Sequence, residues 1–174
     1  MEFHEAIEKR RSVRTFQEKD VPKDKLDRIL KAVLSCPTAG NLQAFKIKVI
    51  RDTELKQALA DAALGQTFIA DAPVVLVFSA CPHASSSRYG NRGRELYAIQ
   101  DATIATTFAH LTAVAEGLGS CWVGAFDPDA VTRALDLPKN QVPVSILPLG
   151  IPEREVGKTS RKPSKDMVSY DTKQ

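Results

Sequence analysis

Apolar residues along this chain switch between a helical period and a strand period, and the switches outline its elements. Phe3, Ala6 and Ile7 share one helical face, so residues 2–9 are expected to form a short helix. Leu26, Ile29, Leu30, Val33 and Leu34 recur at helical spacing and predict a second helix over 23–35. Pro22 precedes it and Pro37 stops it, because proline disfavours helical backbone in the residue before it. Phe45 to Ile50 alternates apolar residues with lysine, as a half-buried strand does. Thr53 is positioned to cap a helix carrying Leu55, Ala58, Leu59 and Ala62. After Pro73, the unbroken run Val74-Val75-Leu76-Val77-Phe78 predicts a strand buried on both faces.

The second half follows the same logic. Residues 81–94 (CPHASSSRYGNRGR) are polar and are expected to form a long loop, a candidate lid. Residues 95–116 predict a helix of ~33 Å at 1.5 Å per residue. Its small residues Ala98, Ala102, Ala105, Ala109 and Ala113 would let another helix approach closely, and Gly117 and Gly119 end it. Cys121-Trp122-Val123 is expected as a short strand, and Asp127 caps a helix with Pro128 in its first turn. Val142 to Leu149 is the last expected strand, with Pro143 and Pro148 placing its ends at an edge or a bulge. Helices alternating with strands in this way lean towards a parallel α/β sheet.

Composition narrows the function classes. The 174 residues fit one domain, and 43% hydrophobic content supports a real core. No apolar stretch reaches the roughly 18 residues of a membrane helix. The start, Met-Glu-Phe-His-Glu-Ala, is polar and lacks the apolar segment of a secretory signal, and the unpaired cysteines are read as cytosolic thiols, so a cytoplasmic location is expected. A net charge of +3 without an aromatic platform does not point to nucleic acid. Cys36, Cys81 and Cys121 are far apart and odd in number, and His4, His83 and His110 have no ligand spacing. Neither a disulfide framework nor a metal site is expected.

Candidate chemistry gathers in four places. Arg10-Arg11-Ser12-Val13-Arg14-Thr15-Phe16 packs three guanidiniums and two hydroxyls into seven residues. Its donor forks suit a phosphate dianion, and a solvated basic patch is the competing reading. Pro37-Thr38-Ala39-Gly40-Asn41-Leu42-Gln43 allows close backbone approach, and its carboxamides can read the edge of a flat heterocycle; a plain connecting turn is the alternative. Gly124, at a buried strand end, would let a backbone N–H reach a ligand. Lys158-Thr159-Ser160-Arg161-Lys162 is a second basic, hydroxylated cluster that could share one phosphate with the first. Asp101 is the one acid in apolar company, and a structural partner such as an arginine is expected for it. Cys121 beside Trp122 is expected to be a buried structural thiol. No GxGxxG, GxxxxGK[ST] or GxSxG motif is present, which removes the Rossmann, P-loop and nucleophile-elbow readings.

Taken together, RRSVRTF at 10–16, PTAGNLQ at 37–43, GQTFIADAPVVLVF at 65–78, RYGNRGRELYAIQDATIA at 88–105, GLGSCWVGAFDPDAV at 117–131, LPLGIP at 147–152 and TSRKP at 159–163 resemble the FMN-dependent nitroreductases over nearly the whole chain. The resemblance implies an α+β fold, a mixed and mainly antiparallel sheet surrounded by helices, built as an intertwined homodimer. It overrides the lean towards a parallel sheet. It implies that residues 1–174 form one FMN-binding domain, with the alanine-lined helix at the dimer core and 153–174 as an arm reaching the partner subunit.

By the same resemblance, Arg10, Ser12 and Arg14, with Arg11 beside them, are phosphate and ribityl ligands, and Arg161 is the remaining phosphate arginine. Pro37, Thr38, Ala39 and Asn41, with Gln43 close by, cover the flavin ring of the other subunit. Gly124 N–H faces flavin N5, Trp122 and Val123 line that wall, and Gln66 reads the pyrimidine edge. No side chain is implied as a catalytic acid. The implied activity is ping-pong transfer of two electrons from NAD(P)H to a small electron-poor acceptor, such as a nitroaromatic, a quinone or free flavin. Two alternatives stand beside it: another reduced-flavin chemistry on the same fold (dehalogenation, dehydrogenation, flavin fragmentation) and a basic binding module without redox chemistry. Two departures from the family pattern are visible. Ala44-Phe45 stands where many members have Pro-Trp, and 81–94 takes the place of a longer insertion over the substrate pocket.

Overall fold

The computed structural model describes residues 1–171 and contains a four-stranded sheet in the order β1-β2-β4-β3. The strands are β1 (Phe45–Ile50), β2 (Val74–Ala80), β3 (Gly119–Ser120) and β4 (Val142–Gly150). Every neighbouring pair is antiparallel, so the sheet is that of an α+β fold and not the parallel sheet that the element order alone suggested. The reason lies between β1 and β2. Helices α3 (Thr53–Ala62) and α4 (Phe68–Asp71) bring the chain back to the end it left, so Ile50 pairs with Val75.

The other helices are α1 (Phe3–Lys9), α2 (Lys23–Leu34), α5 (Pro82–Arg92), α6 (Ala98–Ala115) and α7 (Pro128–Ala134). Strand β2 is buried along its whole length, and its side chains divide between two cores. Val74, Leu76 and Phe78 meet α2 and α6 on one face, with Ile29 and Val33 of α2. Val75 and Val77 meet α3 and α7 on the other, with Leu59 and Val131. The alanine stripe of α6 is spent within the chain. Ala98, Ala102, Ala105, Ala109 and Ala113 are fully buried, in the core shared with α2 and the sheet.

Four local expectations change. Residues 81–94 are helical, not a loop: α5 is broken at Gly90, where φ is 55°, and a wide turn over Gly93–Tyr97 leads into α6. The hydroxyls of Ser86 and Ser87 donate locally to the carbonyls of His83 and Ala84, whereas the buried Ser85 hydroxyl finds no partner among the described residues. At Gly93 a Cβ would lie 2.5 Å from the Ser85 carbonyl oxygen, so glycine is needed for the two segments to touch. The cap of α3 is Asp52, whose carboxylate accepts from Leu55 N–H at 2.9 Å, and not Thr53.

Regular pairing at the third strand falls on Gly119–Ser120, and of the expected 121–123 strand only Val123 forms a bridge, to Ile146. The break lies opposite Pro148, which has no N–H to give the ladder. Cys121 N–H reaches the Pro148 carbonyl at a long 3.4 Å. Pro143 sits at a register shift, as expected, whereas Pro148 lies in a strand paired on both sides and β4 runs on to Gly150.

Candidate functional site

The arginine run leaves α1 in extended form and lies along the sheet edge. Ser12 bridges Ser120, and Val13 N–H donates to the Ser120 carbonyl at 3.0 Å. A Cβ at Gly119 would stand 2.7 Å from a Val13 methyl, so this glycine permits the close approach. Extended backbone sends successive side chains to opposite sides. Arg10, Ser12 and Arg14 therefore share one side of the run that bridges Ser120. Arg11 faces the other way: its guanidinium donates to the carbonyls of Glu8 at 2.6 Å and Arg10 at 2.8 Å. Arg11 lines a separate cleft of about 610 Å³ with Lys9, Val114 and Glu153. Arg11 thus stands apart from the set it was grouped with.

Arg10 and Arg14 each meet a further side chain. Arg10 Nη1 lies 3.1 Å from His110 Nε2, and His110 Nδ1 lies 2.5 Å from Ser120 Oγ. The Arg14 guanidinium sits over the Phe68 ring, 5.7 Å from its centroid. Gln66 donates its amide to the carbonyls of Ala63 at 2.9 Å and Ala125 at 3.1 Å, which places it against the 122–125 segment. Val123 is buried, Trp122 is half-buried, and Gly124 is exposed at the end of the bridge to Ile146. Among the described residues the Gly124 N–H meets no backbone acceptor. Burial pushes the Cys121 thiol up, with Arg14 and Ser12 acting in the opposite direction, and this matches a structural thiol.

The 37–43 loop is built elsewhere. Asp101, only 1% exposed, accepts from Ala39 N–H at 2.9 Å and Ala44 N–H at 3.3 Å. Its partners are therefore the loop's own amides and not an arginine. Thr38 Oγ1 accepts from Gln43 N–H at 3.1 Å, and Gln43 donates its side-chain amide to Asn41. Gly40, Asn41 and Gln43 adopt positive φ, so the turn is tight and its Asn41 and Gln43 faces are exposed, as is Pro37. Asp101 and His110 are nine residues apart on α6, a rise of ~13 Å, so the loop and the arginines serve different ends of one helix. Arg161 is also apart. It is exposed and, among the described residues, bonds to Thr159 and Ser160 of its own segment.

His110, Ser120 and Phe68 were absent from the sequence-based site. His110 carried a usable signal, because it follows Thr106 by one turn on the buried alanine face, where an imidazole must find partners. Burial first, and Arg10 second, lower its pKa from 6.5 to about 4. The unfolded chain therefore binds the extra proton between these values, and stability falls as pH drops through that window. Chemical denaturation of the protein should show a loss of about 3 kcal/mol between pH 6.5 and 4 from this group, with a flat profile above. His110→Gln should flatten the acid side.

The site fits an anionic ligand on its own evidence. No carboxylate among the described residues pairs with Arg10, Arg11 or Arg14. Two guanidiniums and a hydroxyl facing one way without counter-charge suit a phosphate dianion, and the nearby glycine edge and Gln66 suit a flat ring beside it. The described residues hold no group of three or more metal-ligating side chains.

Comparison with known proteins gives this arrangement its relatives. Residues 7–68 and 62–151 match the nitroreductase family. The chain belongs to that family. It is 33% identical to a protein named NADH dehydrogenase from Thermus thermophilus, over 93% of this chain and 92% of that one. It is 30% identical to a Bacillus subtilis protein named FMN reductase [NAD(P)H], over 93% of this chain and 70% of the other. Among solved structures, NfrA2 of B. megaterium superposes with a TM-score of 0.90 at 28% identity, covering all of this chain and 76% of its own. A nitroreductase family protein from Clostridium novyi superposes at 0.80 with 30% identity, over 88% of this chain and 86% of that one. The nitroreductase-like α+β fold implied by the sequence motifs is the fold observed.

Proposed function

We propose that this nitroreductase-family protein is an NAD(P)H-dependent oxidoreductase that holds FMN and passes two electrons to a small electron-poor acceptor. The observation that carries the reading is the uncompensated set of Arg10, Ser12 and Arg14 on one side of a glycine-edged strand. Bound there, FMN would supply the hydride acceptance and two-electron transfer that no side chain of the chain offers. Arg10, Ser12 and Arg14 bind the phosphate and ribityl chain. Gly124 N–H, Trp122, Val123 and Gln66 orient and edge the ring. Arg11 is left to shape the neighbouring cleft, and no side chain is assigned a catalytic proton.

The remaining ligands come from a second copy in this reading. The 37–43 loop lies ~13 Å along α6 from the arginines, which supports its serving the partner's site. Residues 157–171 are exposed throughout, with Met167 at 70% and Tyr170 at 84%, and this supports an arm that packs on another chain and delivers Arg161 there. The last residues of the proposed 153–174 arm, 172–174, lie outside the described residues. Ile99, 41% exposed on α6, fits an interface in the homodimer. Free, buried Cys36, Cys81 and Cys121 fit a cytoplasmic setting. No helix among the described residues is long and apolar enough to cross a membrane.

Donor and acceptor use the same open face in turn, a ping-pong order. Steady-state rates at several fixed acceptor concentrations test it: parallel double-reciprocal lines are expected for NADH or NADPH against a nitroaromatic, a quinone or free flavin. Intersecting lines would contradict the shared face.

A further inference from the structure

His110 lies between the arginine strand and the sheet edge and belongs to neither. The residue is 7% exposed, and both ring nitrogens are engaged by side chains. Arginine has only donors to give, so the His110 Nε2 that faces Arg10 Nη1 must present its lone pair. A neutral ring with a free Nε2 carries its proton on Nδ1, and that N–H donates to Ser120 Oγ. Ser120 is fully buried, and its carbonyl accepts from Val13 N–H at 3.0 Å. The strand is thereby fixed twice, through its backbone at Val13 and through the guanidinium of Arg10.

We propose that His110 is a positioning residue for the anion site: it holds the Arg10 guanidinium in place through Nε2 and is itself held by Ser120 through Nδ1. The inference rests on the reading of Arg10 as a phosphate ligand. A long arginine side chain otherwise loses rotamer freedom each time it meets its ligand, and a neutral acceptor behind it removes part of that cost without cancelling its charge. A carboxylate in the same place would compete with the phosphate, and a leucine would leave the guanidinium unheld. The low pKa of His110 keeps the ring neutral at ordinary pH.

Titration of FMN into the full-length chain freed of flavin tests the proposal with four variants. His110→Leu should weaken FMN roughly three- to tenfold, the share of one hydrogen bond. His110→Gln, which can accept from Arg10 and donate to Ser120, should restore affinity to within about twofold. In an Arg10→Ala background, His110→Leu should add no further loss, because its effect runs through Arg10. An unchanged dissociation constant in His110→Leu, or an equal loss with and without Arg10, overturns the proposal. No effect of Arg10→Ala alone would instead remove the phosphate assignment on which it rests.

A wild-type measurement covers the case of a variant that fails to fold. The imidazole ¹⁵N signals of His110 should show a protonated Nδ1 and a bare Nε2 from about pH 5 to 8. A protonated Nε2 contradicts the relay.

Discussion

Asp101→Ala should cost the protein about 2–4 kcal/mol, the summed penalty of two amides left without an acceptor. The carboxylate holds both ends of the 39–44 segment, accepting from Ala39 and Ala44 N–H, and is itself only 1% exposed. The effect should appear as a lower denaturation midpoint with an unchanged slope. Asp101→Asn keeps one acceptor oxygen and should fall between wild type and alanine. If the loop covers the ring of the partner's flavin, turnover should fall with stability even at temperatures where the variant is folded. A variant as stable as wild type would mean that the loop holds its turn through Thr38 and Gln43 alone.

Arg14→Ala should act on the ligand and barely on the fold. Its guanidinium is exposed and stacks on Phe68, so stability should change by no more than about 1 kcal/mol. A charge-assisted hydrogen bond to phosphate is worth about 1.5–3 kcal/mol, so FMN should bind about ten- to a hundredfold more weakly. Arg14→Lys keeps the charge without the fork and should lose less. Fluorescence titration with FMN, read beside the melting temperature of the flavin-free chain, separates the two effects. An unchanged dissociation constant would remove Arg14 from the phosphate or ribityl ligands.

The elements that sequence made legible are those whose burial repeats. The spacing from Leu26 to Leu34 is α2, and the unbroken run from Val74 is β2, because one buried stripe and two buried faces leave different periods. Residues 81–94 hid their helix. Their burial rests on Ser85, Gly93 and the edge-to-face pair Tyr89–Tyr97, which are contacts between segments and leave no period. Direction of strands was illegible for a related reason, since two short helices between β1 and β2 look like one crossover.

The site divides along the same line. Arg10, Ser12 and Arg14 lie on one extended run, and the alternation that groups them also turns Arg11 away. Asp101 stands out in the sequence as an acid among apolar neighbours, but its partners are backbone amides, which no side-chain pattern announces. The contact of His110 with Arg10 joins positions a hundred residues apart, which no local pattern announces.

The visible absorption spectrum of the purified protein tests the central claim most directly. A yellow protein with flavin bands is expected, with about one FMN per chain, that bleaches when NADH or NADPH is added without oxygen. A colourless protein that takes up no FMN when it is supplied would contradict it.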